Sequence, residues 1–221
     1  MIRRALPLAL LLTLSGCGGD SADERREVKT VGEAEGPGAE LFAQVCSTCH
    51  EADGGGKRAL GAPAIANLSP WYIERQVLHF RDGVRGAHED DAEGQMMAEQ
   101  VASLSDEQIA AVAAYIDSLP AAAPAATVTG EATRGADHYA NVCSACHGSD
   151  ALGNETLGAP ALAGINDWYL ERQYRKFREG IRGGHPDDAY GVQMVRIAPV
   201  LEDDDTVRDV IAWLAAQPPR A

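Results

Sequence analysis

Cys143-Ser144-Ala145-Cys146-His147 and, earlier in the chain, Cys46-Ser47-Thr48-Cys49-His50 are two copies of one pattern, C-x-x-C-H. This is the attachment spacing of a c-type haem. Two thiols one helical turn apart add across the two vinyl groups of one porphyrin, and the adjacent histidine then stands under the iron as a ligand. A lone copy would read equally as a redox dithiol or half of a zinc site. Two copies followed by the same downstream pattern make those readings poor.

The pattern belongs to a longer repeat. Cys46 maps onto Cys143, an offset of 97 residues. The same offset pairs Gly61-Ala62-Pro63-Ala64 with Gly158-Ala159-Pro160-Ala161, and Trp71-Tyr72 with Trp168-Tyr169. It also pairs Arg85-Gly86 with Arg182-Gly183, and Met97 with Met194. From Ala43 to Met97, about 30 of 55 positions are identical to the second copy without a gap, which points to duplication. Two domains are expected, over 36–120 and 131–218. A linker at 121–130, rich in Ala and Pro, is expected to be semi-extended and poor at packing.

Each copy reads as helical with no convincing strand. A first helix runs into the haem motif from Gly38 or Gly135. A middle helix starts at Ser69-Pro70 or Asn166-Asp167, with Ser or Asn as N-cap, and stops at Gly83 or Gly180. A last helix covers about Ser105–Leu119 and Asp203–Ala216 and is followed by proline. The second copy carries one extra residue in its Glu202-Asp203-Asp204-Asp205 cap. Tyr115 and Trp213 are therefore equivalent, and are expected to meet Phe42 and Tyr139 on the first helix.

Residues 1–16 have the form of an export signal: Arg3 and Arg4, then an apolar run too short to span a bilayer comfortably. The run ends in Leu14-Ser15-Gly16-Cys17, which resembles a bacterial lipobox. Acylated Cys17 would anchor the mature chain, and 17–35 would be a flexible tether. The expected location is the periplasmic side of a bacterial membrane, or the soluble periplasm if Cys17 is not acylated. The other four cysteines belong to the haem motifs, so no disulfide framework remains. The formal charge of −14 becomes −16 when Arg3 and Arg4 leave with the signal. That excludes nucleic acid as a natural partner and favours docking to basic protein surfaces.

An iron held by His50 or His147 needs a sixth ligand or stays open for chemistry. Besides Met1 the chain has Met96, Met97 and Met194. The repeat selects Met97 and Met194, and Met96 aligns with Gln193. The rivals are His88 and His185, in loops beside paired aspartates. His79 and His138 lack equivalents and are read as surface residues. Met/His ligation raises the potential and leaves no site for a substrate, as in an electron carrier. The repeated arginines Arg75, Arg81, Arg85, Arg172, Arg178 and Arg182 form either a solvated helix face or, at Arg85 and Arg182, contacts to haem propionates. Trp71 and Trp168 are either core residues or propionate donors.

C-x-x-C-H, Gly-Ala-Pro, Tyr-x-x-x-Gln, Phe-Arg-x-Gly-x-Arg, Met and Leu-Ser-Asp-x-x-Ile together resemble class I cytochrome c domains. Two in tandem are similar to di-haem cytochromes of the c4 type. The resemblance covers nearly all of 36–218. It implies an all-α fold of two small domains, each with one covalent haem c. It implies electron transfer between an upstream quinol-oxidising complex or cytochrome and a downstream oxidase. It also implies that the carbonyls of Pro63 and Pro160 orient the haem-ligating histidines. The Arg-Gly-x-His-x-Asp-Asp loop departs from ordinary c4 and resembles cytochrome domains attached to oxidase subunits, favouring a tethered relay or complex subunit. The alternative is a di-haem redox enzyme, of peroxidase or thiosulfate-oxidising type, with one open haem.

Overall fold

The computed structural model describes residues 35–122 and 124–220. The expected export signal, Cys17 and nearly all of the tether lie outside the described residues. Among the described residues there is no β-sheet, only two isolated bridges, Lys57 to Ala62 and Asn154 to Ala159. No described helix is long and apolar enough to cross a membrane.

In the first half, α1 (Pro37–Leu41) passes through a π-helical turn, Phe42–Cys46, into α2 (Ser47–His50). Then come α3 (Pro70–Arg81), α4 (Ala92–Val101) and α5 (Asp106–Asp117). The second half repeats the order: α6 (Ala132–His138), a π turn at Tyr139–Cys143, α7 (Ser144–His147), α8 (Asp167–Arg178), α9 (Gly191–Ile197) and α10 (Asp204–Ala215). The π turn releases a carbonyl ahead of each haem motif. The Ser47 hydroxyl donates to Ala43 O at 2.8 Å, and Ser144 to Ala140 O at 2.7 Å. Single π turns of this kind recur at functional sites.

The first and last helices of each half pack together, α1 on α5 and α6 on α10. Glycine sets how closely. A Cβ at Gly38 would run into the Ala111 carbonyl, and one at Gly135 into that of Asp209. The crossing is closed by aromatic pairs, Phe42 on Tyr115 at 5.2 Å and Tyr139 on Trp213 at 4.3 Å. Such pairs add about 0.5–1.5 kcal/mol beyond the area they bury. Ile109, Val112, Ala113 and Ile116 of α5 fill the first core behind them, and Val207, Val210, Ile211 and Leu214 of α10 the second. Ser105 and Gln108 form a reciprocal capping box on α5, and Asp203 caps α10 through Thr206 N at 2.7 Å. The added residue lies in that second cap, so the Tyr115–Trp213 equivalence holds.

Three details depart from the sequence reading. The methionines lie on helices, α4 and α9, although their segments show no clear apolar stripe in the sequence. Ser69 and Asn166 occupy the N-cap positions of α3 and α8 without capping them. The Asn166 side chain instead accepts from Ala64 N of the other half at 2.6 Å. The described residues of 121–130 have no regular structure and none is buried, as expected of a linker, yet several are hydrogen-bonded to the two halves. Asn67, buried between the halves, clasps Ala122 through both its N–H (2.9 Å) and its carbonyl (2.7 Å), and donates to Gly164 O at 2.5 Å. Asp167 accepts from the Thr127 and Val128 amides and the Thr127 hydroxyl. Side-chain acceptors do what apolar content cannot.

Gly135→Ala is expected to cost about 1–3 kcal/mol, because α6 must lift off α10; urea unfolding of the haem-loaded protein checks this. Asp167 gives a pH prediction. Burial pushes its carboxyl up, but the N–H and O–H donors outweigh that and hold it below the usual carboxylate range. Its stabilisation is therefore complete above about pH 4, the ordinary carboxylate value. It is lost as pH falls through the lower folded value. Asp167→Ala should reduce stability by about 1–3 kcal/mol at pH 7, with the gap to wild type closing below pH 4 in urea titrations.

Candidate functional site

Helices α2 and α7 end on His50 and His147, both buried. His50 Nδ1 donates to the Pro63 carbonyl at 2.9 Å, and His147 Nδ1 to that of Pro160 at 2.9 Å. A carbonyl oxygen only accepts, so the proton lies on Nδ1 and the Nε2 lone pair is free. Burial holds both imidazoles below their ordinary range, the carbonyl bond only partly opposing it. Each site therefore presents a neutral, oriented nitrogen ligand. The proline is held by the loop that follows the motif: Lys57 N donates to Ala62 O at 2.8 Å, and Gly56 N to His50 O at 3.0 Å. Gly56 takes a positive φ of 84° with its α-carbon against the Pro63 carbonyl, where a side chain would collide. Gly153 repeats this under Pro160.

Burial and a neighbouring thiol push Cys46 and Cys143 up to about 11. A redox dithiol needs the opposite, a stabilised thiolate. Cys143, Cys146, His147 and Pro160 instead line an apolar cleft of about 180 Å³, mostly in the second half with Leu68, Tyr72, Arg75 and Gln76 of the first, and Met194 of α9 lines it too. Its remaining walls include Leu170, Tyr174, Phe177, Leu201 and Ile211. Two cysteines, a histidine and a methionine lining one apolar slot are residues of the kind that hold a covalent haem. In the first half, Met97 and Cys46 pack against the same buried core, whereas Met96 is 52% exposed. His88 and His185 turn back on their own loops. Their Nδ1 atoms accept from the amides of Asp90 at 3.1 Å and Asp187 at 3.2 Å, and His185 is not part of the cleft wall.

The two halves meet through a pseudo-twofold polar network invisible in the sequence. Buried Arg85 donates to Gln76 of its own half at 2.6 Å, and to Tyr169 (2.9 Å) and Gln173 (3.1 Å) of the other. Buried Arg182 mirrors it, donating to Gln173 (2.9 Å), Tyr72 (2.9 Å) and Gln76 (2.8 Å). Arg75 reaches Gly158 O at 2.7 Å, and Arg172 reaches Gly61 O at 2.6 Å. The Nε atoms of Arg75, Arg85 and Arg172 are nevertheless buried without a partner. Arg172 is already paired with Glu93 at 2.8 Å, but Arg75 and Arg85 hydrogen-bond to neutral partners alone, and buried guanidinium groups so placed favour an anionic group beside them, which fits a haem propionate. Arg81 and Arg178 do not converge here. They pair with Asp82 and Asp106, and with Asp204, on the surface. Trp71 and Trp168 lie beside Arg75 and Arg172, at 4.9 and 5.0 Å. His79 is corrected from a surface residue to a largely buried one facing Asp188 of the other half.

The family model described as cytochrome c matches this chain twice, over residues 36–120 and 132–217. A thiosulfate dehydrogenase electron acceptor from Stutzerimonas stutzeri is 33% identical over 89% of this chain and 86% of its own length. A cytochrome c4 from Pseudomonas aeruginosa is 32% identical over 74% of this chain and 79% of its own. Among solved structures, a thiosulfate dehydrogenase from Marichromatium purpuratum superposes with a TM-score of 0.65 and 32% identity over 82% of this chain. The match spans 40% of that longer chain.

Proposed function

This chain belongs to the cytochrome c family, with two such domains and two covalently bound haem c groups, and on that premise we propose that it is a membrane-anchored electron relay on the periplasmic side of a bacterial membrane. It takes electrons from a partner dehydrogenase, of which thiosulfate dehydrogenase is the favoured type, and delivers them towards a terminal oxidase. The observation that carries the reading is the second-half cleft, which His147 and Met194 both line.

Haem c, when bound, supplies reversible one-electron chemistry at its iron. The chain's own residues do the rest. Cys46 and Cys49, and Cys143 and Cys146, hold the two groups covalently. His50 and His147 offer Nε2, oriented by Pro63 and Pro160. Met97 and Met194 would hold the iron through sulfur and so leave no position for a substrate. Arg85 and Arg182, with Arg75 beside them, would neutralise propionates at the interface. An enzyme would need one position open, and the repeat offers methionine in both. The similarity to a thiosulfate dehydrogenase electron acceptor favours the donor side of this reading. The Cys17 lipobox motivates the anchor, and the acidic charge suits docking to basic partner surfaces.

The oxidised protein should show the near-infrared sulfur-to-iron band at an intensity fitting two haems. Met194→Ala should remove half of it, lower one potential and open that iron to carbon monoxide. Met97→Ala should do the same in the other domain, and Met96→Ala should leave the band intact. Stoichiometric carbon monoxide binding by the wild type would favour the enzyme instead. Cys17→Ser should move the haem-loaded protein from the membrane to the soluble fraction; a wild type already soluble after export would remove the anchor from the proposal.

A further inference from the structure

The pseudo-twofold axis relates two charge contacts that are not alike. Lys176 of α8 crosses to the first domain, where its Nζ lies 2.5 Å from Asp91 Oδ1 and 2.8 Å from Glu93 Oε2. Asp91 Oδ1 also accepts from Gly94 N at 3.0 Å, capping α4 three residues before Met97. At the equivalent position α3 carries His79. It too faces a carboxylate at the start of the other domain's methionine helix, although there the N-cap position belongs to Tyr190. Asp188 Oδ1 accepts from Gly191 N at 2.8 Å, three residues before Met194. Here the contact is incomplete: His79 Nδ1 is buried without a partner, 3.9 Å from Asp188 Oδ1. The counterpart of Glu93 is Tyr190, whose ring faces Arg75 at 4.4 Å instead.

We propose that Lys176 and His79 are positioning residues that make the two haem sites inequivalent, Lys176 by a fixed charge at the Met97 helix and His79 by a titratable one at the Met194 helix. The proposal rests on the electron-carrier reading above. The groups facing His79 are Asp188 from the second domain, Arg75 on its own helix, Arg85 and Arg182 from the loops after α3 and α8, and Asp82 at the end of α3. Burial and the three guanidinium groups outweigh Asp188 and hold the imidazole below its ordinary range. His79 is therefore neutral at neutral pH, and gains a proton as pH falls. The added cation then pairs with Asp188 as Lys176 pairs with Asp91, placing positive charge beside the second site and favouring its reduced state. By linkage, an electron arriving from the donor protein raises the affinity of His79 for a proton, which is drawn from solvent. The first site, set by Lys176, has no such dependence.

The test is a spectroelectrochemical titration of the full haem-loaded protein between pH 5 and pH 8. One haem should become harder to reduce as pH rises, by about fivefold in its reduction equilibrium, the lower end of site-to-site coupling. The other should stay flat. His79→Gln should abolish the slope, and His79→Lys should hold that haem near its acid-side value. Lys176→His should give the first haem a slope of its own. In the wild type, NMR of the His79 imidazole should show protonation at higher pH in the reduced than in the oxidised protein. Two flat potentials, a slope that survives His79→Gln, or a His79 titration indifferent to redox state would each overturn the proposal while leaving the carrier reading intact. Absence of two reversible one-electron steps would overturn the carrier reading and this proposal with it.

Discussion

Each half of the molecule depends on one hydrogen bond, from the Nδ1–H of a motif histidine to the carbonyl of a proline thirteen residues on. It fixes the ring's tautomer and rotation, and so the direction in which a ligating nitrogen points. A buried imidazole without it would leave a donor unpaired, at about 1–3 kcal/mol. Much of the local architecture follows from holding that carbonyl in place. The loop folds back through a short bridge, a glycine with positive φ packs beneath the proline, and a π-helical turn feeds the motif from the first helix. The first and last helices then clasp through glycine and an aromatic pair, closing the core behind the site.

Duplication places two such sites in one chain, and the way the copies meet matters as much as the copies. The interface is polar and buried, built from arginine, glutamine and tyrosine side chains exchanged across a pseudo-twofold axis. Buried charge contributes little net stability unless it is fully paired. Three arginine Nε atoms remain unpaired here, so orientation explains this interface better than stability does. Asn67 and Asp167 add a second layer of restraint by fastening the connecting segment to both halves. The two domains are thereby held in one relative orientation, which suits passage of an electron between them.

The copies have also diverged where symmetry would have made them identical. Lysine opposite histidine, and glutamate opposite tyrosine, fall at the contacts nearest the helices that carry the methionines. A lysine lies against the start of one methionine helix and a histidine against the start of the other. The backbone diverges with them: Ala92 and Glu93 open α4, whereas α9 starts two equivalent positions later, at Gly191.

Covalent and local requirements were readable from the residues alone. C-x-x-C-H spacing, the gapless repeat from Ala43 to Met97, the scarcity of methionine and the helical recurrence of Ile109, Val112 and Ile116 are all one-dimensional signals. Spacing on a helix already decides which side chains share a face, and the family resemblance added the proline carbonyl. The tertiary structure decided what depends on contact across the two halves. Asn166 read as a cap and serves as an acceptor for the other domain. The described residues of the 121–130 stretch are as unburied as their composition suggests, yet acceptors elsewhere in the chain hold the amides of Ala122, Thr127 and Val128. His79 read as a surface residue because it had no counterpart of its own type, when its counterpart is a lysine in the same place. None of these follows from local sequence, because a polar side chain finds its partner by distance in space, and that distance is set only when both domains have folded and docked.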